Sequence, residues 1–106
     1  MRRTHRRDKT HAAIVTELRQ MGYSVADTST VGNDFPDLVI GRRGVTALVE
    51  AKTRSRESHV GRVSDPALAL LTDGQRRFRD AWRGSRVLVG YDAIEIHAAF
   101  GLLCAP

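Results

Sequence analysis

The sequence predicts an α/β domain ordered helix, strand, strand, strand, helix, strand, helix. Three observations carry this: apolar residues at helical spacing toward both ends, short β-forming runs between them, and glycine- and proline-rich punctuation at each boundary. A chain of 106 residues can bury one sheet and a few helices as a single domain without staples.

Ala12, Ile14, Val15, Leu18 and Met21 recur at helical spacing over residues 9–21, and Gly22 supplies the stop. Alternation around Tyr23 and Val25 reads as a first strand, after which DTSTVGNDFP collects turn formers. Asp34 belongs to that turn chemistry. Residues 37–40 and 45–49 are β-rich and flank Gly41-Arg42-Arg43-Gly44, read as a four-residue hairpin turn. Residues 53–71 show no periodicity and read as a long polar excursion. Thr72 caps a helix running to Gly84, residues 86–90 form a fourth strand, and a last helix from Asp92 packs Ile94, Ala98 and Leu102. Phe78, Trp82 and Phe100 read as core.

With 42% hydrophobic and 27% charged residues, the composition is that of a soluble globular protein. Lys and Arg number 17 against 12 Asp and Glu, a formal charge of +5 carried mostly by arginine, which points the partner search at polyanions, DNA or RNA first. The single cysteine, Cys104, allows neither an intramolecular disulfide nor a thiolate metal cage, and the four histidines lack paired zinc-ligand spacing. MRRTHRRDKTH carries charge with no apolar run behind it, unlike a secretory signal or a membrane span. The expectation is a cytoplasmic protein with a flexible basic arm at 1–8 and one domain at 9–106, with no membrane partner and no small-molecule cofactor.

The chemistry gathers in the hairpin. With a symmetric four-residue turn, Val45 faces Ile40 and Leu48 faces Asp37. Glu50 and Lys52 then follow on the same sheet face, since side chains alternate with period two. Leu38, Ile40, Val49 and Ala51 point to the opposite face and suit the core, so the register that collects the charges also buries the apolar residues. Two carboxylates at one end of a hairpin can grip a divalent cation of the Mg²⁺ type, with the Ala51 carbonyl as a further ligand. Such a cation polarises a phosphate oxygen and activates water, while Lys52 stabilises growing negative charge.

Pro36-Asp37, twelve intervening residues and Glu50-Ala51-Lys52 resemble the motif of the PD-(D/E)xK nuclease superfamily. The chain looks like its small, phage-type members near the VRR-NUC branch and the archaeal Holliday-junction resolvases. The likeness covers residues 9–100 and implies a restriction-endonuclease-like core, α-β-β-β-α-β with a further α, its central mixed sheet flanked by helices. It further implies Mg²⁺ or Mn²⁺ as cofactor, Asp37 and Glu50 as ligands, and Lys52 as the water-positioning group. Gln75 stands where some branches place a glutamine that orients the lysine. His11 stands where many relatives have a glutamate or glutamine on helix one, with Glu17 as its substitute. The implied activity is hydrolysis of DNA phosphodiester bonds, with branched DNA as a candidate substrate and a symmetric dimer as its corollary.

Each feature has a plainer account. Asp37 is also a turn residue after proline, Glu50 and Lys52 also fit a strand leaving the core, and Gln75 fits an exposed helix start. Arg54, Arg56 and Arg62 either reach phosphates flanking a scissile bond or decorate a solvated loop. The alternative function is a non-catalytic nucleic-acid-binding or assembly protein that keeps the nuclease fold. The catalytic reading is preferred because charges on a core-forming strand cost free energy unless something compensates them.

Overall fold

Gly22 ends the first helix as its position in the sequence predicts. It adopts φ +96°, and the amides of Gly22 and Tyr23 bond back to the carbonyls of Arg19 and Leu18, the paired closure of a left-handed helix end. The computed structural model describes residues 6–52 and 71–104. Within them lie α1 (Arg6–Gln20), β1 (Ser24–Asp27), β2 (Leu38–Arg42), β3 (Val45–Ala51), α2 (Asp73–Ala81), β4 (Val87–Gly90) and α3 (Ala93–Cys104). Helix α1 therefore begins at Arg6, inside the span expected to be a flexible arm.

The four strands form one mixed sheet in the order β1-β2-β3-β4, antiparallel through β3 and parallel between β3 and β4. Strand β3 thus has a neighbour on each edge, which is why its run from Ala47 to Ala51 is buried. Leu38, Ile40, Ala47, Val49, Ala51 and Leu88 share a core with Ile14 and Leu18 of α1 and Ala93, Ile96 and Phe100 of α3. Fully burying a leucine or isoleucine contributes about 1.5–3 kcal/mol. A one-residue slip would turn Leu38 and Ile40 away from the helices, so burial fixes the face.

The hairpin turn is shorter than expected. Arg42 pairs with Val45, leaving only Arg43 (φ 54°) and Gly44 (φ 80°) in the turn. Two successive residues at positive φ give the type I′ twist that matches a right-twisted hairpin. Leu48 consequently faces Val39 rather than Asp37. The correction moves the register by two residues, an even number, so the assignment of side chains to faces is unchanged.

Helix α3 is also rotated from the expected orientation. Its buried stripe is Ala93, Ile96 and Phe100, while Ile94 is 70% and Leu102 78% exposed and Ala98 faces outward. The inward face is fixed by Asp92 Oδ1, which accepts from Glu95 N at 2.8 Å, and by Tyr23, whose hydroxyl meets His97 Nδ1 at 2.6 Å and whose ring lies edge-on to Phe100. On α1, Ala12 is exposed while Ile14 and Leu18 carry the packing. Among the described residues no helix is long and apolar enough to cross a membrane.

Candidate metal and phosphodiester site

Asp37 sits where β2 begins, and β3 runs one turn of the ladder past it. The Lys52 amide donates to Gly90 O of β4 at 2.9 Å, so the preceding Ala51 amide, by alternation, points toward β2. There it donates to Asp37 Oδ2 at 3.0 Å: a side-chain carboxylate takes the place of a ladder carbonyl. The approach to Asp37 is fixed from the other edge, where Thr28 N donates to Asp37 O at 2.8 Å and Thr28 Oγ1 to Pro36 O at 2.7 Å.

Extending the β2–β3 register one step beyond the Leu38–Val49 pair sets Asp37 opposite Glu50. Both carboxylates are buried, at 7% and 2% exposure, the only buried charged residues among those described. By strand alternation they share the face that carries Val39 and Leu48, away from α1 and α3. Lys52 continues along this face, and its ammonium donates to Gln75 Oε1 at 2.7 Å. The structure thus brings Asp37, Glu50, Ala51, Lys52 and Gln75 to one end of the sheet.

The two buried carboxylates are hard oxygen donors at one end of the sheet. Among the described residues no group of three or more His, Cys, Asp or Glu converges to hold a metal. In donor chemistry a carboxylate pair suits an ion such as Mg²⁺, which takes one or two carboxylates and keeps several waters.

The accessory residues go elsewhere. His11 Nε2 meets Asp27 Oδ2 at 3.0 Å, and Asp27 pairs in register with Leu38, on the opposite pleat face from Asp37. Ser29 donates to Asp27 Oδ1 from its hydroxyl at 2.7 Å and its amide at 3.0 Å. Those two bonds, followed by His11, bring the Asp27 carboxyl down to about 2. Glu17 is exposed on α1. Arg54, Arg56 and Arg62 lie outside the described residues.

Several contacts among these and neighbouring residues go beyond the sequence expectation. Thr72 and Gln75 form a capping box: Gln75 N donates to Thr72 Oγ1 at 3.1 Å and Thr72 N to Gln75 Oε1 at 2.9 Å. The T-x-x-Q spacing was the available signal. Asp34, at φ 64°, rests its carboxylate on Gly74, leaving no room there for a Cβ. Phe35 packs edge-on to Phe78 at 5.5 Å and to Trp82 at 6.2 Å, and those two stack at 5.1 Å. Helix α2, which buries no residue, is thereby tied to the loop that delivers Asp37. Phe78 and Trp82 form this satellite cluster rather than the main core, with Trp82 43% exposed.

Beside β1 and β2 the sheet carries an open depression of about 310 Å³, bordered by Ser24, Ala26, Val39, Gly41 and Thr46. By alternation these five share the face of the two carboxylates, but Val25 and Ile40 also line the depression and neither Asp37 nor Glu50 does. A larger groove of about 450 Å³ lies between the α2 end and α3, lined by Arg79, Trp82, Arg86 and Leu102, with neither carboxylate in its wall. Its size does not make it the site, because no acid and no ordered polar cluster line it. No protein-family model, curated protein or solved structure matches the chain.

Proposed function

We propose that the chain is a metal-dependent endonuclease that hydrolyses DNA phosphodiester bonds at Asp37, Glu50 and Lys52. One observation carries this reading: two buried carboxylates share one sheet face, opposite each other when the β2–β3 register is extended one step, with an ammonium further along it held by Gln75. Asp37, Glu50 and the Ala51 carbonyl would hold Mg²⁺ or Mn²⁺. When bound, such an ion supplies charge neutralisation at the phosphate and a more acidic water.

The protein's own groups then have separate tasks. Asp37 is oriented by the Ala51 amide, which fixes one of its oxygens, and the carboxylate so placed would serve as a metal ligand. The Lys52 ammonium donates to Gln75 Oε1, which orients it, and its positive charge would stabilise a phosphate oxygen as negative charge grows there. The net charge of +5 favours association with the polyanion. The same reading takes branched DNA as a candidate substrate and a symmetric dimer as the assembly, since two strands require two sites.

The test incubates supercoiled, linear and branched DNA with the full chain in Mg²⁺, Mn²⁺ or EDTA. Cutting that needs the metal and disappears in Glu50→Gln and Lys52→Met supports the reading. DNA binding that survives EDTA, with no cutting under either metal, replaces it with a binding protein. Cutting retained by Glu50→Gln removes the carboxylate from the mechanism.

A further inference from the structure

The hydroxyl and amide of Thr72 stand one residue away from the ammonium they influence. Gln75 Oε1 is a shared acceptor, taking Lys52 Nζ at 2.7 Å and Thr72 N at 2.9 Å. An ammonium and a peptide N–H only donate, so the carboxamide must turn its oxygen to both and direct Nε2 away. In return Thr72 Oγ1 accepts from Gln75 N at 3.1 Å, which anchors the backbone of the same residue. The Gln75 side chain is thus fixed at both ends by one partner.

This matters because the first turn of α2 is located by the capping box together with the Asp34 carboxylate resting on Gly74. The helix buries no residue, and its aromatic contacts through Phe78 and Trp82 lie one and two turns further on. A glutamine free to rotate would lose entropy each time it met Lys52. One already held in place presents its oxygen without that cost. We infer that Thr72 is a positioning residue: the capping box that starts α2 also sets the Gln75 carboxamide and, through it, holds the Lys52 ammonium on the acid face. The geometric part stands by itself, whereas the effect on rate rests on the nuclease reading.

The experiment compares the full-length wild type with Thr72→Ser, Thr72→Ala, Gln75→Ala and Thr72→Ala/Gln75→Ala, each first checked for wild-type circular dichroism. In Mg²⁺-dependent DNA cleavage, Thr72→Ala should lower kcat by roughly 10- to 100-fold with KM unchanged, as expected for a misplaced group. Thr72→Ser should restore it, and the double variant should be no slower than Gln75→Ala. A wild-type kcat in Thr72→Ala, or losses that multiply in the double variant, overturns the inference, because multiplication means that Thr72 does not act through Gln75.

A second measurement is independent of cleavage. In protein free of metal and DNA, Thr72→Ala keeps the residue-72 amide that donates to Gln75 Oε1 but loses the hydroxyl that anchors Gln75 N, so the Gln75 backbone and side-chain amide signals in nitrogen-15 NMR should shift in Thr72→Ala and stay in place in Thr72→Ser. Unchanged signals in Thr72→Ala overturn the inference. If the wild type cuts no DNA under any metal, the nuclease reading falls while this arm still decides whether the latch exists.

Discussion

Replacing Asp37 by Ala and by Asn separates two roles that one carboxylate performs. Alanine leaves the Ala51 amide, in a residue 7% exposed and now bonded at 3.0 Å, without its acceptor. An orphaned buried amide costs about 1–3 kcal/mol. In a domain of 106 residues that is a fall in Tm of roughly 5–20 °C. Asparagine retains a carbonyl oxygen at the same reach and gives up only the ionic part of the bond, so its cost should stay below about 1.5 kcal/mol. Urea denaturation at neutral pH, with the slope unchanged, ranks the three proteins as wild type, then Asn, then Ala. The two variants should be indistinguishable in Mg²⁺-dependent cleavage, both inactive, because neither supplies an anionic ligand. An alanine variant as stable as the wild type would refute the ladder role. An asparagine variant that still cuts would refute the ligand role.

Three further outcomes follow from particular contacts. Mg²⁺ at about 100 times its dissociation constant should stabilise the wild type by about 2.7 kcal/mol, a Tm rise of order 10 °C, and should leave Glu50→Gln unmoved; equal shifts in both proteins, read by calorimetry, place the ion elsewhere. Asp27 is held below its usual 3.8, at about 2, chiefly by the Ser29 hydroxyl and amide and then by His11. A lowered carboxyl pKa gives stability that is complete above 3.8 and is lost as pH falls toward 2. The stability advantage of wild type over Asp27→Asn should therefore shrink across that window, and a constant difference in acid denaturation curves would contradict it. Gly74→Ala tests the seat of Asp34. Helix propensity alone favours alanine by about 1 kcal/mol, but the new methyl must displace the Asp34 carboxylate, so thermal unfolding should show less than that gain, the full gain appearing once Asp34→Ala removes the obstacle.

Much of the fold was legible because local signals agreed. Gly22 and Thr72 ended and began helices by chemistry that needs only a few neighbouring residues. The acids were legible because alternation is insensitive to an even error in register. The turn itself was misread: a non-glycine residue, Arg43, occupies the left-handed region, and nothing in its identity announces that. The orientation of α3 was not readable either. In AIEIHAAFGLLC nearly every position is apolar, so Ile94, Ala98 and Leu102 make as regular a stripe as Ala93, Ile96 and Phe100. The choice is made by Asp92, Glu95 and His97 through contacts with Tyr91 and the distant Tyr23. The parallel pairing of β4 with β3 depends on a crossover of more than thirty residues and lies beyond any local pattern.

The strongest argument for function lies in what a purely structural Asp37 would leave unexplained. Its bond to the Ala51 amide needs an acceptor, and an uncharged asparagine or serine would provide one without introducing a second negative charge opposite Glu50. The two carboxyls lie on one face at 7% and 2% exposure, a pairing that the proposed metal-binding role would use. Their shared face is the one turned away from α1 and α3. Under the proposed function a cation would be held by both acids. Metal-dependent stabilisation, measured without any nucleic acid, is therefore a sharper first test than cleavage: it interrogates the pair of carboxylates directly and does not depend on having found the right DNA.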